Sequence, residues 1–280
     1  EWNRIQEVNS NCEYSFYCKE SEGNGKILSG IFNYCRYSLF LRKIIKKNKF
    51  ETIVVFNVFN FLIHALFNFW IFRKKKIIVD FRDLPRFFNL YKSILNLLIR
   101  ILAKTVVLSS YGFFKYFKHH KILMIHNLQN FNSTNKKYKP LKEILTIGSI
   151  RDFNSNIKVI TKCSSLGIKS KISGDGPALD DIKKTVKTKN LKNIDFTGRF
   201  LEKDKIQLAS SCQIINNFNE SDSIGKNLIS NRFYLALQLG LPQLVNTKTF
   251  QGSLAIKNGF GIKLSQLDFI KKKWNKEIFL

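Results

Sequence analysis

The chain has 280 residues, 32.7 kDa and 44% hydrophobic residues, enough for two ordinary domains with a sizeable core, which excludes a chain too polar to fold. Its 47 Lys+Arg against 20 Asp+Glu leave a net charge of +27, which excludes a balanced surface and points to a polyanionic partner: phospholipid, phosphorylated ligands or nucleic acid. Many of the 26 Phe stand beside Lys, a basic-apolar pairing that fits an anionic membrane surface better than a DNA groove, so no nucleic acid is expected. An AT-rich genome would inflate Lys, Asn, Ile and Phe as well.

Cys12, Cys18, Cys35, Cys163 and Cys212 are odd in number and lack metal-ligand spacing. They read as reduced thiols of a cytoplasmic chain. No signal peptide is visible and residue 1 is Glu, so the expectation is a cut N-terminus with a first strand and its glycine turn missing.

Residues 1–30 are polar and hold Gly23, Gly25 and Gly30, an irregular edge. A helix with a basic face is expected from Tyr34 to Lys47. Thr52 to Phe72 carries no charged side chain, and roughly 18 such residues already make a membrane-span candidate. Against that, Asn57, Asn60, His64 and Asn68 fall at intervals of three, four and four, one stripe on a helix, after the strand-like Ile53-Val54-Val55-Phe56. Strand, turn and helix is the preferred reading.

Strand Ile77 to Asp80 leads into the turn Phe81-Arg82-Asp83-Leu84-Pro85, and an amphipathic helix runs from Arg86 to Lys104. Thr105 to Leu108 and Ile122 to Ile125 read as strands, with Ser109 and Ser110 starting a helix between them. This alternation predicts a parallel sheet with crossover helices. Asn127 to Pro140 lacks periodicity and reads as a linker, separating a first domain (1–126) from a second (141–265), with a basic C-terminal segment (266–280) that would pack back across the first domain.

In the second half, strands Glu143 to Ile147, Ser170 to Ser173, Ile194 to Phe196 and Gln213 to Ile215 alternate with helices. A helix from about Gly225 to Leu239 follows, ended by Gly240 and Pro242, then strand Gln243 to Val245 and a last unit, Gly252 to Lys263. Gly148, Gly174, Gly176 and Gly198 follow strands, where glycine lets a phosphate approach backbone N–H groups. Arg151 with a planar fork and Lys226 as a point charge would neutralise a diphosphate. P-loop, zinc-protease, paired-Cys and serine-hydrolase motifs are absent. His119-His120 has no carboxylate or thiol partner in sequence, so neither metal nor cofactor is expected.

The segments ILTIGSIRDFNSN, ISGDGPALDDI, NIDFTGRF and NRFYLALQLGLPQLVN resemble the nucleotide-sugar domain of GT-B glycosyltransferases, especially the family-4-like enzymes of bacterial surface-polysaccharide assembly. IVVFNVFN, IIVDFRDLP, VVLSSYGFFKYF and ILMIHN are similar to their first domain. The resemblance implies an α/β chain of two Rossmann-like domains facing across a cleft, the first incomplete at its start. It places Gly148 and Arg151 by the donor phosphates, Gly174 and Gly176 by the nucleotide, Gly198 near the base, and Asn227 and Arg232 around the sugar and ribose. Many relatives carry two glutamates eight residues apart where this chain has Asn227 and Leu235; Glu220 or Asp222 would substitute for the lost carboxylate.

The acceptor side would comprise Asn57, Asn60, His64, Asp80 and Arg82, with Asp83 or Glu220 activating a hydroxyl. The expected activity is hexosyl transfer from a UDP-, GDP- or ADP-sugar to a lipid-linked or growing surface glycan, by a cytoplasmic protein peripheral to the inner face of a bacterial membrane. A sugar-nucleotide epimerase of the same fold and a catalytically degenerate membrane- or partner-binding copy are the alternatives.

Overall fold

The computed structural model describes residues 27–48, 50–83, 88–117, 121–126, 142–220 and 225–273. Cys12, Cys18, Leu84, Pro85, His119, His120, the linker 127–140, Asp222 and the chain beyond 273 lie outside them. The described residues fall into two compact units, one up to Asp80 with Ser93–Thr105, the other Phe81–Lys92 with the chain from Val106 onward.

The first unit starts with α1 (Ile27–Asn48), β1 (Thr52–Phe56), α2 (Val58–Phe72) and β2 (Lys76–Phe81). β1 and β2 pair in parallel from Thr52↔Lys76 to Phe56↔Asp80, as strands joined by a crossover helix must. α1 begins seven residues before the expected Tyr34. The polar stripe of α2 does not hold as one face. Asn57 is the N-cap, at φ 75°, its side chain accepting from Phe59 N; Asn60 donates back to Phe56 O; and Asn68 leaves the helical region at φ −123°, ψ 24°.

The lower part of the stripe joins α2 to α1. Ser38 Oγ lies 2.7 Å from His64 Nδ1, Arg42 Nε donates to Asn68 Oδ1 at 3.1 Å, and Asn68 Nδ2 donates to Ser38 O at 3.3 Å. These amide and hydroxyl groups are buried, and each bond offsets its desolvation. Among the described residues no helix is long and apolar enough to cross a membrane.

Burial lowers the His64 value from 6.5. A base with a depressed folded value stabilises the fold above its unfolded value and loses that contribution as pH falls through it. Melting temperature is therefore expected to drop between pH 7.5 and 5.5, and His64→Gln to flatten that slope. Identical slopes in both proteins would refute the assignment.

α3 (Phe88–Leu102) runs into β3 (Ala103–Leu108), and β3 pairs in parallel with β4 (Ile122–Met124). Ser110 starts a 3-10 helix (Tyr111–Tyr116) rather than an α-helix, accepting from Gly112 N. In the second unit Phe81 packs edge-on against Phe113 and Phe117, with centroids 4.7 Å apart in both pairs.

The rest of that unit is a doubly wound sheet: β5 (Glu143–Ser149), α4 (Phe153–Ser165), β6 (Lys169–Asp175), α5 (Leu179–Thr188), β7 (Ile194–Gly198), α6 (Lys205–Ser210), β8 (Ile214–Asn216), α7 (Asn231–Gln238), β9 (Gln243–Val245), α8 (Phe250–Lys257), β10 (Gly261–Lys263) and α9 (Leu267–Lys273). Six parallel strands stand in the order β10-β9-β8-β5-β6-β7. Alternate β5 residues enter opposite cores. Ile144 packs with Val159, Cys163, Leu267 and Ile270, and Leu145 and Ile147 with Ala209, Leu235 and Leu239. Helices cover both faces, and the central strands β5, β8 and β9 are accordingly buried in unbroken runs.

Two expectations are corrected here. The helix expected from Gly225 to Leu239 is a single 3-10 turn (Gly225–Asn227), a break, and then α7 from Asn231. Ser230 caps α7 by accepting from Phe233 N, and a cap hydroxyl fixes a helix start more firmly than the polarity of a loop. The C-terminal segment, expected to pack back on the first domain, joins the second sheet as far as it is described. Leu267 and Ile270 of α9 join the core of the second sheet, and Asp268 pairs with Lys162.

Candidate functional site

β5 lies between β6, the next strand in sequence, and β8, the first strand of the other half of the sheet. That reversal of strand order leaves a crevice beyond the carboxyl ends of β5 and β8, where ligands of open α/β sheets bind. A cavity of about 570 Å³ lies there, lined by Ile147 to Ser149, Arg151 and Asp152 after β5, by Asn217, Asn219 and Glu220 after β8, and by Leu228 to Arg232 at the start of α7. Arg82, Asp83 and Ser109 close another side.

Two guanidinium groups dominate it. Both converge on Ser149: Arg151 Nε donates to its Oγ at 2.9 Å, and Arg232 NH2 donates to its carbonyl at 2.7 Å. Among the described residues neither has a carboxylate partner. Burial, and then the neighbouring Arg151 cation, pull the Arg232 guanidinium down to about 10 from 12.5. Two cations held together with no carboxylate partner among the described residues repel each other, and a diphosphate set against them would remove that repulsion and accept from both forks.

The carboxylates of the cavity are mostly engaged. Asp152 caps α4, accepting from Ser155 N at 3.1 Å. Glu202 pairs with Lys205 at 2.8 Å, and Glu220 with Lys158, while Glu220 N donates to Ser155 Oγ. Asp83 is exposed. Gly148 lines the cavity at φ 98° with open space on its Cβ side, so its backbone can meet a ligand directly.

The structure thus brings together Arg82, Asp83, Gly148, Arg151, Glu220 and Arg232 from the sequence-predicted set. The others lie elsewhere. Gly174 and Gly176 pack against the backbone of Gly148 and Ile150, and between them Asp175 is ion-paired with Arg199, which holds its carboxyl below the usual range. Gly198 ends β7, and Lys226 is exposed away from the cavity lining.

Asn227 is buried and engaged by the first part of the chain. Its Nδ2 donates to Tyr116 OH at 2.8 Å, and its carbonyl accepts from Ser110 Oγ at 2.7 Å. Gly112 lies so close that a Cβ there would meet Asn227 O at 2.3 Å. Leu235 is 2% exposed in the apolar core, so the side chain at that position serves packing in this chain. Asn57, Asn60, His64 and Asp80 belong to the first unit, where Asp80 O accepts from Asn57 N.

Asn156, Asn217, Asn219, Ser230 and Lys205 also line the cavity, and sequence reasoning missed them. The run Asn216-Asn217 directly after an apolar strand was the available signal. Nearby, Tyr234 OH lies 2.7 Å from His126 Nδ1. Burial pushes the Tyr234 phenol up to about 12 against the opposing pull of the Arg82 cation. Burial likewise pushes the Cys163 thiol up to about 12, which makes it an inert core group rather than a nucleophile.

No protein-family model matches the sequence, and no curated protein does. Solved structures match the fold. TarM aligns at 14% identity and TM-score 0.59, over 86% of this chain and 50% of its own; a variant of S. aureus TarM has been solved with UDP, fondaparinux and α-GlcNAc-glycerol. Sucrose-phosphate synthase from Thermosynechococcus elongatus aligns at 11% identity and TM-score 0.64, over 89% of this chain and 71% of its own. The UDP-GlcNAc 2-epimerase of Neisseria meningitidis, solved with UDP-GlcNAc, aligns at 13% identity and TM-score 0.57, over 99% and 82%. The chain spans about half the length of TarM. At these identities the likeness is one of fold, and the fold is α/β of the GT-B type, built from Rossmann-like parallel sheets.

Proposed function

We propose that the protein is a glycosyltransferase that binds a nucleotide-diphosphate sugar in the β5–β8 cavity and passes the sugar to an acceptor hydroxyl. The observation that carries this reading is the Arg151–Arg232 pair, two guanidinium groups at the topological switch point without a carboxylate partner among the described residues. Set against a diphosphate, they would stabilise the charge that grows on the leaving nucleotide as the glycosidic bond breaks. Asp83, exposed at the cavity, is the group to deprotonate the acceptor, and Glu220, anchored by Lys158, orients it.

The finer reading is a family-4-like hexosyltransferase of bacterial surface-polysaccharide synthesis that works on lipid-linked acceptors at the cytoplasmic membrane face. It is supported by Leu90, Ile94, Leu97 and Ile101, all exposed on one face of α3 beside the exposed Arg100. Isothermal titration with UDP, GDP and ADP, followed by release assays on their sugars, tests the donor. No affinity for any of the three would end the proposal. Sedimentation with phosphatidylglycerol vesicles, absent with phosphatidylcholine, tests the membrane.

A sugar-nucleotide 2-epimerase is the second reading, supported by the N. meningitidis UDP-GlcNAc 2-epimerase, which shares the fold over 82% of its own length. Incubating UDP-GlcNAc without acceptor and following C2 by NMR separates the two, because inversion at C2 occurs only under the second.

A further inference from the structure

We propose that Gln243 and Gln251 are positioning residues for the cavity, through a closed ring of buried amides that holds Asn217, Ser230 and Arg232 at its wall. The proposal rests on the anion-binding reading of that cavity. Gln243 lies in β9, beside Leu244 and Val245, and Gln251 in α8; both are 0% exposed and Asn217 1%. A polar side chain in so buried a strand is costly unless its groups are bonded. Here they are.

Asn217 Nδ2 donates to Gln243 Oε1 at 2.6 Å, and Gln243 Nε2 donates to Phe233 O at 3.1 Å. Ser230 N donates to Gln251 Oε1 at 3.0 Å, and Gln251 Nε2 donates to Asn217 O at 3.3 Å. Ser230 Oγ donates to Asn217 Oδ1 at 2.8 Å and accepts from Phe233 N at 3.2 Å, which closes the ring. The exit of β8 is thereby tied to the first turn of α7. Ser230 and Phe233, the residues that bracket Asn231 and Arg232, are both fixed, and from that fixed turn the Arg232 fork reaches Ser149 O. A leucine at 243 or 251 would fill the same volume, yet leave the Asn217 amide and Ser230 N without partners. The ring therefore sets the aim of the guanidinium rather than merely filling space.

The test compares Gln243→Leu and Gln251→Leu with Leu267→Ala, a destabilising change in the core beneath the opposite face of the sheet. Gln243→Asn and Gln251→Asn are milder versions should the leucine variants fail to fold. Two readouts are taken on the full chain: UDP affinity by calorimetry, and hydrogen exchange at the amides of Ser230 and Phe233. The expected result is a Kd weakened ~10-fold or more in the Gln variants, about one hydrogen bond's worth of misalignment, with faster exchange at those two amides. Leu267→Ala, at an equal loss of melting temperature, leaves both unchanged. Equal effects in the Gln and Leu267 variants would overturn the proposal, as would unaltered Kd in folded Gln variants. If the parent binds no UDP, GDP or ADP, the reading of the cavity fails while the exchange data still judge the ring: unchanged exchange at Ser230 and Phe233 overturns it.

Discussion

Arg232→Met is expected to weaken UDP binding ~100-fold, while the ligand-free protein melts at the same temperature or higher. A charge-assisted fork on a phosphate in a partly desolvated cavity is worth about 3 kcal/mol, which corresponds to that factor. The stability half of the expectation comes from the sign of the shift. The Arg232 guanidinium is lowered to about 10 by burial and by Arg151. A base with a depressed folded value costs the empty fold stability while it is charged, and the cost disappears only as pH rises through that value. At neutral pH a neutral side chain removes the cost, just as a bound diphosphate does. Arg232→Lys, which keeps the charge and loses the planar fork, should fall between parent and methionine variant. Calorimetry with UDP and differential scanning fluorimetry without it check both halves. A methionine variant that bound UDP like the parent would remove Arg232 from the site.

Gly174→Ala is expected to abolish folding of the second unit, or to cost more than about 4 kcal/mol where soluble protein is recovered. Gly174 is at φ 139°, a region L side chains rarely adopt, and a Cβ there would lie 1.9 Å from Gly148 O and 2.8 Å from Gly148 C. The obstacle is backbone in the paired strand, since Gly148 and Gly174 are directly opposed in the β5–β6 register, so no side-chain rotation relieves it. Gly148→Ala presents the contrast. Nothing lies within 4 Å of its Cβ position, and its cost is the φ of 98° alone, of order 1–3 kcal/mol. Urea titrations of the two variants give the difference; equal losses would show that no backbone clash with the paired strand adds to the cost at Gly174.

Glycines that look alike in sequence thus divide by role. Gly148, Gly174, Gly176 and Gly198 all follow strands, and turn chemistry cannot distinguish a glycine that admits a ligand from one that admits its neighbour strand. The distinction needs the parallel register. Arg151 was legible because it follows a strand end by two residues. The convergence of Arg232 with Arg151 on Ser149 became legible only with the start of α7 fixed by its Ser230 cap, from which Arg232 reaches Ser149 O. Asn227 and Leu235 show the same limit. Resemblance aligned both with glutamates of a donor site, yet the first reaches Tyr116, 111 positions away, and the second enters the core. His64 and Asn68, spaced as part of one helical stripe, face α1 through Ser38 and Arg42.

The sequence by itself determined the alternation of strands and helices, hence parallel sheets with crossover helices, and the basic character of the chain, because hydrophobic period, turn residues and charge are local properties read within ten residues or so. Only the tertiary structure decided which cations share one cavity, where α7 begins and which polar groups are consumed by the fold. Those outcomes depend on strand order and on hydrogen bonds between residues far apart in the chain, such as Ser110 with Asn227 and Asn217 with Gln243, and no local pattern encodes them.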